Sequence, residues 1–449
     1  MLRTHTCGEL RKSHAGKKVT LCGWVDAHRV QGKLSFIVLR DRYGSTQVFV
    51  NPKLTEQHPH LLKDTVVIIS GEVKARPDKQ VKKDSETGEI ELSASSIDVQ
   101  GPCDELPLDP ATSTEETRLK YRYLDLRSER MQKNLMVRHK VLHAMHSFLN
   151  DKNFLNIETP MLAKSTPEGA RDYLVPSRKF PGKFFALPQS PQIFKQLLMV
   201  SGFDKYYQIA RCLRDEDLRA DRQPEFTQLD VEMAFVEEED VYTVCEELMK
   251  FIFKEALNVT LKTPFPRLTH AEAMKKHKTD KPNLSKAKDD FQFLWITEFP
   301  LFEYDKDAKR YVSEHHPFTA PNEKDITLME KDPAKVRSTS YDLVLNGFEM
   351  GSGSIRISDA GVQKKVFSAL NIAEAEAQEK FGYLLDSLQF GAPRMGGIAF
   401  GVDRLVAVMT GEESIRDVIA FPKNKDAKDL MLDSPSDISK EQKKELGLQ

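Results

Sequence analysis

Cysteine is scarce in this chain of 449 residues, and its five thiols (Cys7, Cys22, Cys103, Cys212 and Cys245) are odd in number and far apart. None has the CxxC spacing of zinc sites and dithiol redox centres, so all five are expected to be reduced and mostly buried. Long hydrophobic runs are missing too. No apolar stretch approaches the roughly 20 residues that span a bilayer. The opening residues, MLRTHTCGELRKSHAGKK, have no apolar core and no small-residue cleavage site, so a cytoplasmic protein with no membrane partner is expected. Nor is there an excess of either charge: 66 Lys and Arg stand against 68 Asp and Glu, a formal net charge of −2. A nucleic acid could not be held by bulk positive charge, only by local clusters such as Arg40–Asp41–Arg42 or Lys82–Lys83.

The length exceeds what one ordinary core can serve, so two or more domains are expected. From Val19 to about Val99, five β-type runs (VTLCGWV, LSFIVLRD, STQVFV, TVVIISGEV, EIELSASSIDV) are separated by turn residues, among them Tyr43–Gly44 and the polar stretch Lys82 to Glu89. Five such runs predict a small Greek-key barrel of the OB type, a fold that commonly binds oligonucleotides. The prolines of GPCDELPLDP then mark a boundary. From Arg127 to Asn150, Val137, Val141, Leu142, Met145 and Leu149 recur at helical spacing, with a break at Asp151–Lys152–Asn153. Strands and helices alternate irregularly thereafter, up to a polar tail after about Asp433. The expectation is an α+β chain with the OB barrel at 1–104, a linker or hinge at 105–130 and a larger domain at 131–449.

Three segments carry chemistry. The first is the long helix followed by Phe154-Leu-Asn-Ile-Glu-Thr-Pro160-Met-Leu, a strand ending in a proline that cannot donate to a ladder. The second runs from Tyr206 through Arg214-Asp215-Glu216 and a polar loop to Pro224-Glu-Phe226-Thr-Gln-Leu-Asp230-Val-Glu232. A guanidinium on a rigid strand, Arg214, can stabilise charge building on phosphate oxygens. Phe226 offers a flat face to adenine and Glu216 an acceptor for its exocyclic amine. Taken alone, the segment reads equally as a charged surface hairpin. The third is Gly396-Gly397-Ile-Ala-Phe-Gly401-Val402-Asp403-Arg404-Leu, where glycines let backbone approach a nucleotide and Arg404 can meet its outer phosphate.

In this order and spacing the three segments resemble the motifs of class II aminoacyl-tRNA synthetases. The resemblance implies an antiparallel β-sheet flanked by helices as the catalytic fold, and a homodimer built on the first segment. It implies ATP held by Arg214, Asp215, Glu216, Gln223, Phe226, Glu349, Gly401, Val402, Asp403 and Arg404, with Arg214, Glu216 and Arg404 as the catalytic residues. Asp342 and Glu349 resemble the family's acids for Mg2+.

The segments Ser165 to Tyr173, Gln189 to Gln196 and His315-His316-Pro-Phe-Thr resemble the substrate loops of bacterial aspartyl-tRNA synthetases. That implies Glu168 over the α-amino group of aspartate and Lys195 and Arg356 on its side-chain carboxylate, with Ser190, Gln192, Arg214, Asp230, His315 and His316 completing the site. Two buried cations would reject asparagine, whose amide would leave them unpaired. In the barrel it implies Arg29, Phe36 and Gln47 at the anticodon, while a core position for Phe36 stays open. Val30, Gln31 and the 74–84 loop are where selectivity between anticodons is expected. His139, His143 and His146 share a helix face at a spacing that zinc could use, but no further ligand is apparent and the dimer interface is the preferred setting.

The chain departs from that family in lacking its large inserted domain: Asp280-Lys-Pro-Asn-Leu leads through a short linker near 283–291 into Phe291-Gln-Phe-Leu-Trp. No candidate residue falls in the missing part, so activity is expected. The resemblance therefore implies an aspartate–tRNA ligase acting on tRNA(Asp) with ATP and Mg2+. The alternatives are an enzyme that also charges tRNA(Asn) and a non-catalytic RNA-binding or regulatory protein.

Overall fold

The computed structural model describes residues 1–165, 169–287, 289–307 and 309–447. The chain divides into two compact units, Met1–Ser113 and Thr114–Gln449.

In the first unit, β1 (Lys18–Gln31), β2 (Leu34–Asp41), β3 (Gly44–Val50), β4 (Val66–Ala75) and β5 (Ile90–Gly101) close a barrel in the order β1-β2-β3-β5-β4. Alternate residues fill it: Val19, Leu21, Val25, Ile37, Leu39, Val48, Val67, Ile69, Ile90 and Leu92 form its core. In β2 the inward set is Ser35, Ile37, Leu39 and Asp41, so Phe36, Val38 and Arg40 lie on the outer face. Phe36 is therefore not a core residue.

The second unit is built on an eight-stranded sheet in the order β11-β12-β15-β16-β17-β10-β9-β6. These strands are β6 (Leu155–Asn156), β9 (Lys205–Leu213), β10 (Glu225–Ala234), β11 (Arg267–Thr269), β12 (Phe293–Thr297), β15 (Ser340–Leu345), β16 (Phe348–Ile355) and β17 (Met395–Gly401). Two small hairpins, β7 (Leu174–Pro176) with β8 (Phe184–Ala186) and β13 (Phe302–Asp305) with β14 (Arg310–Ser313), complete the strands. All pairings from β12 to β9 are antiparallel, as expected, but the outermost at each edge, β11 with β12 and β6 with β9, are parallel. The first-segment strand is correspondingly short. It holds only Leu155 and Asn156, and the chain leaves the edge before Pro160.

One face of the sheet is apolar. Leu229, Val231, Met233, Ile398, Phe400, Leu343 and Leu345 pack against helices Glu129–Asp151, Glu238–Leu257 and Val402–Thr410 in one continuous core. Each such side chain taken fully out of water contributes about 1.5–3 kcal/mol. Helix Glu129–Asp151 starts where the Ser128 side chain accepts from Met131 N, and the chain turns away at Asn153, whose φ is +62°. The stretch expected as a linker at 105–130 divides: from Thr114 onward it belongs to the second unit, as two short helices, Glu115–Lys120 and Arg122–Asp125. Buried Arg122 anchors them by donating to Asp125 and to the carbonyl oxygens of Arg416, Ile419 and Ala420.

At the junction expected near 283–291 the described residues form no helix or strand. Helix His270–His277 ends at Lys278 in the left-handed region, and the chain reaches β12 against the β15–β16 turn. There Asn346 Nδ2 donates to Asp290 O at 2.8 Å, and Gln292 N donates to Asn346 Oδ1 at 2.9 Å. Gly347, at φ +89°, comes so close that a Cβ would lie 3.3 Å from that of Asn283.

Candidate active site

The other face of the sheet is polar, by the same alternation. Along β10, Gln228, Asp230 and Glu232 sit between the buried apolar residues Leu229, Val231 and Met233. Across β17 these three stand opposite Gly401, Ala399 and Gly397, and beyond, Ala399 and Gly397 pair with Ser352 and Ser354 of β16. A middle strand with almost no side chains on this face makes a floor between two polar strands. Above it lies a cleft of about 580 Å³. Of the expected residues, Ser190, Gln192, Arg214, Glu216, Gln223, Phe226, His315, His316, Glu349, Arg356, Gly401, Asp403 and Arg404 all border it.

At one end the Arg214 guanidinium carbon lies 5.1 Å from the centre of the Phe226 ring, and Nε donates to Gln189 O at 3.4 Å. Glu216 pairs with Arg222 at 3.1 Å. Further along, Arg404 donates to the main-chain oxygen of Glu349 at 2.8 Å and pairs with Asp221 at 3.3 Å. The Glu349 carboxylate meets Lys281 Nζ at 2.8 Å. Burial alone would raise the Glu349 pKa, but the charge of Lys281, then that of Arg404, outweighs it and the net shift is downward. Asp342 shifts the other way, because burial exceeds the pull of its hydrogen bond from His315 Nε2 at 3.3 Å. Burial by itself would lower His315, but Asp342 reverses the sign and raises it.

On the same polar face, beside the floor, sits a buried foursome. Lys195 Nζ lies 3.0 Å from Asp230 Oδ1 and 3.6 Å from Glu232 Oε2. Arg356 grips Glu232 with two hydrogen bonds, from Nε at 2.9 Å and Nη2 at 3.0 Å. Its third nitrogen, Nη1, donates to Ser354 Oγ at 2.7 Å and to His316 Nε2 at 2.9 Å. A guanidinium can only donate, so His316 accepts at Nε2 and is neutral. Burial, reinforced by the charge of Arg356, holds its pKa well below the usual imidazole value. Lys195 and Arg356, expected on the aspartate carboxylate, each already have a carboxylate partner within the protein, because two isolated buried charges would be too unfavourable. Two polar atoms nearby are buried with no hydrogen-bond partner among the described residues, the acceptor Asp230 Oδ2 and the donor Gln192 Nε2.

The carboxylate of Asp403 and the remaining expected residues are placed otherwise. Asp403 turns both carboxylate oxygens into the protein, one to Arg138 and one accepting from Thr227 N at 2.8 Å. Val402 is buried in the helical core. Asp215 pairs with Arg171 at 3.6 Å, away from the cleft lining. Glu168 lies outside the described residues. Sequence reasoning missed Glu232 and Lys281. Glu232 was signalled by the polar alternation of β10, whereas nothing local marks Lys281.

On the barrel, the register puts Arg29 beside Phe36 and Phe36 beside Phe49, with Gln47 next to Val38 on the same outer face. Phe36 and Phe49 meet edge to face at 5.8 Å, and Gln47 Nε2 donates to Glu91 at 3.4 Å. Arg40, in one of the clusters offered for a nucleic acid, pairs with Asp26 and Asp64 within the barrel. In the first-segment helix, His139 and His143 stack on each other and His146 Nδ1 bonds Tyr207 Oη at 2.9 Å. Among the described residues no group of three His, Cys, Asp or Glu could hold a metal ion.

Residues 114–425 match the family model "tRNA synthetases class II (D, K and N)", and residues 19–99 match "OB-fold nucleic acid binding domain". Among curated proteins the chain is 43% identical to an "Aspartate--tRNA(Asp/Asn) ligase" of Caldanaerobacter subterraneus subsp. tengcongensis, over 99% of this chain and 98% of that protein. It is 40% identical to the protein of the same name from Thermotoga maritima, over 99% of both. The first alignment runs over 577 positions against 449 residues here, so that relative carries stretches this chain lacks. Among solved structures the fold is shared with asparaginyl-tRNA synthetase of Pyrococcus horikoshii (TM-score 0.78, 21% identity, 94% of this chain and 98% of that one). It is shared also with aspartyl tRNA synthetase of Entamoeba histolytica (TM-score 0.74, 22% identity, 93% and 91%).

Proposed function

Since the chain belongs to the class II tRNA synthetases and is an aminoacyl-tRNA synthetase that uses ATP, we propose that it activates L-aspartate and transfers it to the 3′ end of tRNA(Asp). The observation that carries the amino-acid site is the orphaned pair beside the buried foursome. Asp230 Oδ2 is an acceptor without a donor, and Gln192 Nε2 a donor without an acceptor. An α-amino acid brings an ammonium for the first and a carboxylate for the second. Its side-chain carboxylate then comes to Arg356, taking an Nη1 hydrogen in place of His316 or Ser354. Because Arg356 is already paired with Glu232, asparagine is refused on donor geometry. An amide offers one acceptor oxygen where a carboxylate offers two, and its N–H groups meet only donors at a guanidinium.

Arg214, steadied against Phe226, faces the charge that develops on the α-phosphate as the aspartate carboxylate attacks and pyrophosphate leaves. Adenine lies on Phe226, with Glu216 toward its amine, and Arg404 takes the outer phosphates. The terminal ribose hydroxyl of the tRNA then attacks the mixed anhydride and AMP departs. No protein nucleophile takes part, so catalysis rests on positioning and charge. Asp342 and Glu349 are hard oxygen donors suited to Mg2+ arriving with ATP, which would spread the phosphate charge. On the barrel, Phe36 and Phe49 offer stacking faces for anticodon bases, with Gln47 and Arg29 at their edge. Homodimerisation is supported by the exposed apolar residues Met136, Leu155, Met161 and Leu162 along the first segment. No helix among the described residues is long and apolar enough to cross a membrane, and the cytoplasm is the proposed setting.

A second reading, that tRNA(Asn) is also charged, is favoured by the names of the relatives, each an aspartate–tRNA(Asp/Asn) ligase. The test is exchange of labelled pyrophosphate into ATP without tRNA, with asparagine and lysine as controls. Exchange with aspartate alone supports the reading, and exchange with none from folded protein overturns it. Arg214→Ala is expected to lose at least ~100-fold while its melting curve is kept. Charging of tRNA(Asp) and tRNA(Asn) transcripts in parallel then separates the two readings.

A further inference from the structure

Lys281 is a residue that the mechanism above leaves unused. It stands in the short junction between helix His270–His277 and β12, it borders the cleft, and its ammonium meets the Glu349 carboxylate at 2.8 Å. A lysine paired with a carboxylate is most simply a strut fastening the junction to the β15–β16 turn. Here that fastening exists without it. Asn346 makes two hydrogen bonds to the far side of the junction, Gly347 packs on Asn283, and Pro282, next to Lys281, is buried. The Lys281 side chain remains partly open to the cleft.

Its neighbours say which ligand group suits it. Glu349 is held from two sides, by Lys281 at its carboxylate and by Arg404 at its main-chain oxygen. Two cations held on Glu349 make a place for a polyanion with a divalent ion. Arg214 follows β9 and Glu349 lies in β16, three strand pairings apart, or roughly 14 Å at about 4.8 Å per strand. Arg214 and Lys281 therefore address opposite ends of an extended ligand.

Building on the nucleotide reading above, we propose that Lys281 is a phosphate-binding residue for the two terminal phosphates of ATP, those that leave as pyrophosphate. In the structure it neutralises Glu349. When the nucleotide arrives its ammonium turns from the carboxylate to a terminal phosphate oxygen, beside Arg404.

The test separates this role from that of a strut. In Lys281→Met, the KM values for ATP and pyrophosphate in the exchange reaction are expected to rise about 10-fold, the size of one charge-assisted hydrogen bond. The KM for aspartate and the Kd for AMP, which lacks the terminal phosphates, should stay within about two-fold. Lys281→Arg should recover most of the loss. AMP and ATP weakening together, or neither weakening, would overturn the proposal. A second measurement needs no turnover: calorimetric binding of pyrophosphate without metal. Glu349→Gln should bind it about 10-fold more tightly than the parent, because Lys281 is released, and adding Lys281→Met should abolish that gain. A gain that survives in the double variant refutes the proposal. If the parent shows no aspartate-dependent exchange while pyrophosphate binding still follows Lys281, the amino-acid assignment fails and this one stands.

Discussion

The outer face of the barrel and the polar face of the large sheet both present alternating strand residues to a ligand, but they manage charge in opposite ways. On the barrel, exposed Arg29 lies at the rim beside half-buried Phe36 and Phe49. Such a face is inexpensive to build, because solvent screens whatever the ligand does not cover. On the sheet, Lys195, Asp230, Glu232 and Arg356 are all buried, and each cation is matched by a carboxylate. A binding surface can thus be assembled from residues acting singly, whereas a buried reacting site has to be assembled as a neutral set before a substrate arrives.

Three experiments would break or sharpen that contrast. The largest effect is expected from Gly397→Ala. A Cβ there would lie 2.1 Å from Glu232 Oε2 and 2.1 Å from the Val231 carbonyl oxygen, so the strand itself must shift and not only a side-chain tip. The neutral set should come apart, with roughly 3 kcal/mol lost in denaturant unfolding and aspartate-dependent exchange down at least ~100-fold. Near-parental activity would show that the foursome tolerates displacement. A smaller effect is expected from Phe36→Ala. Stacking on an aromatic is worth about 1–3 kcal/mol per base, so the KM for tRNA should rise ~10-fold while tRNA-free exchange and the melting temperature hardly move. Loss of exchange in this variant would mean that the barrel face is not separable from the chemistry.

The smallest effect is read by titration rather than rate. His315 is raised by Asp342, so its protonated form stabilises the fold fully below its ordinary value, and that contribution is lost as pH climbs through the raised value. His316, lowered by burial and Arg356, stays neutral in the fold while the unfolded chain takes up a proton, so it weakens stability progressively as pH falls below its ordinary value. Imidazole NMR signals should therefore titrate on opposite sides of the usual histidine range. Two coincident titrations would remove the Arg356 hydrogen bond from the argument.

Legibility in the sequence follows the same divide. The barrel strands could be read because apolar residues alternate, yet the facing of Phe36 could not, since the inward set of β2 includes two polar residues. Ser35 is satisfied inside by Thr55, and Asp41 accepts from the main chain of Cys7 and of Tyr43. In the sheet, the cations Lys195 and Arg356 could be singled out, but not their neutralisation. Their partners stand 35 and 124 residues away in the chain, and only strand register brings them together. Asp403 shows the same limit: it stands at the nucleotide-type turn and borders the cleft, but its contacts with Thr227 and Arg138, far away in the chain, could not be read.

The junction at 278–292 gives the molecule a socket. One end is fixed at the helix stop of Lys278, and the other is clasped by Asn346 through Asp290 and Gln292, so each end is secured independently of what runs between them. Sheet and cleft are complete without any further module at that point. A domain spliced between Asn283 and Asp290 would change how far the protein reaches along a partner, and would leave the chemistry of the cleft as it is.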